Sequence, residues 1–187
     1  MFDRLGQEII SVLEPLEYIT LRGGLVELVN QTDGESRSIT PQAKVYVDGV
    51  WNGEYQNLSP DHSETCIVFS EFQEYTVNER TNLYERFTLR FRLIVWFNEA
   101  KIDYDGYAGE KISKDLIKKI RTLNLYKKPI INFESITADP ARIWSAYSFR
   151  PDDALFMAPY RTFALTFSLR AYEMVKCVDE TVIETVC

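Results

Sequence analysis

The chain has 187 residues, 45% hydrophobic and 26% charged, which is enough for one domain with a sizeable core and too apolar for a disordered segment. With 21 basic against 28 acidic residues the net charge is −7, a poor balance for a protein that wraps nucleic acid. Cys66, Cys177 and Cys187 are widely spaced and odd in number, forming neither a disulfide framework nor a CxxC zinc pattern, so a reduced, cytosolic context is expected.

Residues 2–14 place Phe2, Leu5, Ile9, Val12 and Leu13 at helical spacing, and Pro15 predicts the end of that helix at Glu14. Acidic residues interrupt this opening stretch, so it does not read as a signal peptide. No run of about 18 apolar residues occurs, so no membrane span is expected. Residues 18–30 are strand-like, with Gly23-Gly24 predicting a turn or bulge, hence a hairpin or one interrupted strand. The polar stretch 31–38 reads as a loop tip, 43–47 as a short strand, and Asp48-Gly49 as a turn. Residues 51–65 look irregular, a connection long enough to bind or to pack as a surface loop. A strand resumes at 66–69, and the polar span 71–84 predicts a hairpin with an exposed tip.

The strongest pattern follows. In 87–97, Phe87, Leu89, Phe91, Leu93, Val95 and Phe97 make one unbroken apolar face, while Thr88, Arg90, Arg92, Ile94 and Trp96 make a mixed one. A period of two over eleven residues is a strand signal. Residues 162–174 repeat the design, with Phe163, Leu165, Phe167 and Leu169 on one face and Thr166, Ser168, Arg170 and Tyr172 on the other. Between the two, Ser113 is a candidate cap for a helix over 114–123, residues 129–136 suggest a short strand, and Asp139-Pro140 marks a second helix start. Residues 178–187 alternate weakly and fit either a last strand or a trailing arm.

One α+β domain over 1–187 accommodates this order: a mostly antiparallel twisted β-sheet with an N-terminal helix and two inserted helices packed on one face. Catalytic machinery is not recognisable. The single histidine, His62, sits beside Asp61 in a polar loop, no serine stands in a Gly-x-Ser-x-Gly elbow, and no phosphate-binding glycine loop occurs. Asp103-Tyr104-Asp105-Gly106 opens like a calcium loop, but Ala108 and Lys114 occupy the positions that need glycine and glutamate. No catalytic, cofactor or metal residue is therefore assigned, and assembly or binding is expected rather than catalysis. Function has to show on the mixed strand faces, where Arg90, Arg92, Arg170, Trp96 and Tyr172 are the candidate subunit-interface residues; an ordinary solvated face whose arginine stems cover apolar neighbours is the plainer reading.

Taken together, the amphipathic helix at 2–14, the succeeding sheet, the long strand at 85–97 and the late strand at 161–177 make the chain resemble the tail-terminator (tail-completion, head–tail joining) proteins of tailed bacteriophages. The resemblance implies a structural virion protein of the tail and neck, assembled in the host bacterial cytoplasm. It implies a homohexameric ring that caps the tail tube and meets neck or head-completion proteins, with DNA at most passing through the lumen. Another neck or baseplate component, or the cap of a contractile injection machine, fits the same layout. A soluble small-ligand-binding domain, with helices closing over an aromatic-lined sheet, is the alternative of a different class.

Overall fold

The computed structural model describes residues 2–33, 36–81, 83–123, 130–149 and 154–174. Helix α1 (Phe2–Ser11) and the turn after it lay Ile9, Ile10 and Leu13 on the sheet. The α-helical part stops earlier than Glu14, because residues 12–15 close in tighter turns, with Leu13 N donating to Ile10 O at 3.0 Å and Glu14 N to Ser11 O at 3.1 Å. Arg22 Nη2 donates to the carbonyls of Glu14 (3.2 Å) and Leu16 (2.7 Å), satisfying acceptors that this terminus leaves open. Gly6 sets how close α1 comes, since a Cβ there would stand 2.9 Å from the Leu25 amide nitrogen and 3.0 Å from Ser70 Oγ.

Residues 18–30 form an interrupted strand rather than a hairpin: β1 (Leu21–Leu25) and β2 (Glu27–Asp33). β1 lies between β3 (Ser36–Val47) and β5 (Cys66–Arg80), antiparallel to the first and parallel to the second, and its register slips at Gly24. β3 is much longer than the expected 43–47, because β2 pairs with its first half from Glu27 opposite Gln42 to Asp33 opposite Ser36. Asp48 (φ 48°) and Gly49 (φ 81°) both adopt the left-handed conformation that a tight hairpin turn demands, joining β3 to β4 (Val50–Asn57). β4 occupies part of the stretch expected to be irregular. Its side chains do not alternate in burial, so only the ladder to β3 makes it a strand.

β5 runs to Arg80 and turns back into β6 (Tyr84–Asn98), so the polar span 71–84 is mostly strand. β6 pairs over its whole length with β8 (Tyr160–Met174), from Tyr84 opposite Met174 to Asn98 opposite Tyr160. β7 (Ile130–Thr137) pairs with β8 at the edge. The sheet follows the path β2-β3-β1-β5-β6-β8-β7, with β4 on the other edge of β3, so the β3–β4 hairpin lies at one end and β7 at the other.

Helix α2 (Ala108–Arg121) begins six residues before the expected start, and Ser113 lies inside it, donating from Oγ to the Glu110 carbonyl at 3.0 Å instead of capping. Ala108 is buried, so packing holds the first turn that no side-chain cap supports. Helix α3 (Pro140–Ile143) starts as expected, with Asp139 accepting from Ala141 N at 3.0 Å and Pro140 in the first turn.

The fold class is α+β, with a mostly antiparallel eight-stranded sheet and an N-terminal helix. Helices α1 and α2 cover one face through Ile9, Leu13, Ile112, Leu116 and Ile120, which meet the alternate residues Phe87–Phe97 of β6 and Phe163–Leu169 of β8. Phe91 and Phe167 stack across this register with ring centroids 5.4 Å apart. On the opposite face α3 and the turns after it pack Ile143, Trp144, Tyr147 and Phe156 against Phe69, Ile94 and Trp96. Residues 178–187 lie outside the described residues.

Candidate subunit interface

Residues 143–149 and 154–160 divide the mixed face of β6 and β8 into a covered half and an open half. Trp96, expected on a presenting surface, is wholly enclosed within the subunit; its Nε1 donates to the Leu155 carbonyl at 2.7 Å and its ring stacks on Tyr160 at 5.2 Å. That placement corrects the expectation, because an indole without accessible area cannot touch a neighbour of the folded subunit. The physical cause is the apolar run in α3 and its following turns, which finds the aliphatic half of the mixed face before any partner does.

Arg92 is likewise largely withdrawn. Its Nε binds Glu71 Oε2, the residue directly opposite on β5, and its Nη2 donates to the Ile143 carbonyl at 2.9 Å. Tyr147 donates to the other Glu71 oxygen at 3.2 Å, and burial, reinforced by the Glu71 charge, pushes this phenol far up from its ordinary value. Arg90 lies on the open half between two carboxylates, 2.9 Å from Glu134 on β7 and 3.6 Å from Glu74 on β5. The hydrogen bond to Glu134 leads the causes that hold its guanidinium above the usual arginine value. Further along, Arg86 pairs with Glu79 at 3.3 Å and Arg80 with Glu85 at 3.4 Å. The acidic complement of these strand arginines is therefore present in the same chain, on β5, on β6 itself and, across β8, on β7.

Arg170 is different. It is exposed, lies between Thr88 and Ile130 in the register, and has no ion pair among the described residues. Tyr172 stands opposite Arg86 at the far end of the ladder. Of the three candidate arginines, Arg170 is the one with no carboxylate partner among the described residues. The glutamates that occupy Arg90 and Arg92 were missed because their spacing hides them: Arg92, Arg90 and Arg86 are separated by two and four residues, whereas Glu71, Glu74 and Glu79 are separated by three and five. Bulges at Gln73 and Asn78 each add one residue to β5 and bring the two series into line.

His62 Nδ1 lies 2.6 Å from the Tyr160 hydroxyl, closing the outer end of the Tyr160–Trp96 stack, and Lys101 Nζ donates to the carbonyls of His62 (2.8 Å) and Ser63 (2.9 Å). Hydrogen bonds from Ser63 hold the neighbouring Asp61 carboxyl below its usual range. Among the described residues no group of three or more His, Cys, Asp and Glu side chains converges on a point that could hold a metal ion. Nor is any described helix long and apolar enough to cross a membrane.

No family model matches the chain, and neither a curated protein nor a solved structure matches it.

Proposed function

We propose that this chain is a structural virion protein, a tail terminator that assembles into a homohexameric ring, caps the tail tube and joins it to neck and head-completion proteins. The observation that carries the reading is the layout of the sheet. Two 15-residue strands, β6 and β8, are paired over their entire length, α1 and α2 cover one face, and part of the other face is left open as a polar, charge-laddered surface. Such a platform is rigid, because most of its charges are already tied to neighbouring strands, and it suits the presentation of surface better than the enclosure of a ligand. The aromatic-lined half, where a small ligand would have to lie, is filled by the chain's own Trp144, Tyr147 and Phe156.

Light scattering coupled to size exclusion, with negative-stain electron microscopy of the same fractions, tests the reading. The expected result is a particle six times the 21.8 kDa subunit with a central opening. A monomer that persists from micromolar to millimolar concentration, alone and with purified tail tubes, contradicts it.

A further inference from the structure

We infer that two surfaces at opposite ends of the sheet form the head-to-tail contact between copies: the tip of the β3–β4 hairpin on one subunit and the β7–β8 edge around Arg170 on the next. The inference rests on the ring reading above and names the contact that closes it. In a cyclic ring each interface is heterologous, so the chain must carry two different and complementary patches.

The hairpin tip is one such patch. Val47 is 52% and Val50 67% exposed, flanking the exposed Asp48, and the left-handed Asp48-Gly49 turn holds all three in fixed relation. Ordinary exposed valines need no explanation, but two beside each other on a preorganised turn form an apolar knob with a negative charge at its apex. The second patch mirrors it. Ile130, 61% exposed, lies directly beside Arg170 on the β7–β8 ladder, giving an aliphatic surface with a positive charge. Neither Asp48 nor Arg170 has an ion pair among the described residues, whereas Arg90 and Arg92 are both engaged within the subunit. Apolar contact at both patches and one opposite charge on each make the two surfaces complementary. Their position at the two ends of one sheet lets each copy give the knob in one direction and receive it in the other.

A charge swap on the full chain tests this by sedimentation equilibrium. Arg170→Glu and Asp48→Lys should each weaken self-association by about tenfold or more, because each puts like charges face to face. The double variant R170E/D48K should restore it, whereas Lys118→Glu, an exposed change on α2, should leave it as in the wild type. Unchanged association in both single variants, or a double variant no better than either, overturns this contact while leaving a wild-type ring intact. A wild type that stays monomeric at every concentration overturns the ring reading itself, and the contact with it. Far-UV circular dichroism of each variant separates lost association from lost folding.

Discussion

Arg92 and Glu71 stand opposite one another on β6 and β5, each side chain only 13% exposed, and the ion pair they form joins the sheet to the segment that covers it. Among the described residues, removing the arginine leaves Glu71 with the Tyr147 hydroxyl as its remaining side-chain donor and the Ile143 carbonyl without its guanidinium partner. Breaking this part-buried pair from one side leaves hydrogen-bonding groups without their charged donor, so Arg92→Ala should lower stability by about 1–3 kcal/mol. Equilibrium urea unfolding reads this as a lower midpoint at unchanged slope. Arg90→Ala acts on exposed partners that water screens, and its midpoint should stay close to that of the wild type.

Gly6→Ala should destabilise, against the ordinary trend. Within an exposed helix that change stabilises by roughly 0.5–1 kcal/mol through chain entropy. Here the new methyl meets the Leu25 backbone at 2.9 Å and Ser70 Oγ at 3.0 Å, so α1 has to lift off β1. Overpacking of this kind costs about 1–3 kcal/mol, which reverses the sign. The midpoint of thermal unfolding measures it directly.

Trp144 is the central ring of the cover over the second face. It contacts Phe149 at 5.2 Å, Tyr147 at 5.4 Å, Phe156 at 5.5 Å and Phe69 at 5.9 Å, and its Nε1 donates to Thr162 Oγ1 at 3.2 Å. Trp144→Ala should cost about 3–5 kcal/mol. Met157→Ala, in the same segment but half exposed, should change stability by no more than about 0.5 kcal/mol. Guanidinium unfolding of the two variants side by side shows whether the segment is part of the core or an appendage.

Stability should fall on the alkaline side. Burial, then the neighbouring Glu71, raises the Tyr147 phenol, and burial, then Asp115, raises that of Tyr18. In the unfolded chain both ionise near the ordinary value of about 10. Above that pH the unfolded state has released protons that the folded state still holds, so the contribution is complete below about pH 10 and declines as the pH climbs toward the folded values. Urea midpoints measured from about pH 8 to about pH 11 should drop along this limb, and Tyr147→Phe should flatten the drop. A wild-type midpoint that stays constant across that range runs against this assignment.

Much of the sheet was legible in the residues. The alternation of 87–97 and 162–174 announced two long strands because both bury one face under helices and so preserve a period of two. The turn at Asp48-Gly49 and the start at Asp139-Pro140 were readable because their chemistry is local. β4 was not, since an edge strand with no buried face carries no alternation, and the first half of β3 was hidden because its pairing with β2 is set by register and not by a local pattern. The early start of α2 was missed because burial of Ala108, not a capping side chain, holds its first turn.

The candidate interface divides along a similar line. By itself the sequence determined the fold class, the two central strands, and the presence of arginines on their less apolar face, because each depends on neighbours a few residues apart. Only the tertiary structure decided which of those arginines is available. Bulges at Gln73 and Asn78 shift the glutamates of β5 into register with Arg92, Arg90 and Arg86, and α3 with its following turns encloses Trp96. These pairings, between residues 7 to 21 positions apart, are set by register and packing, and no local periodicity encodes them. Arg170 emerges as the candidate interface arginine left without a carboxylate among the described residues, toward one end of a sheet whose other end carries Asp48.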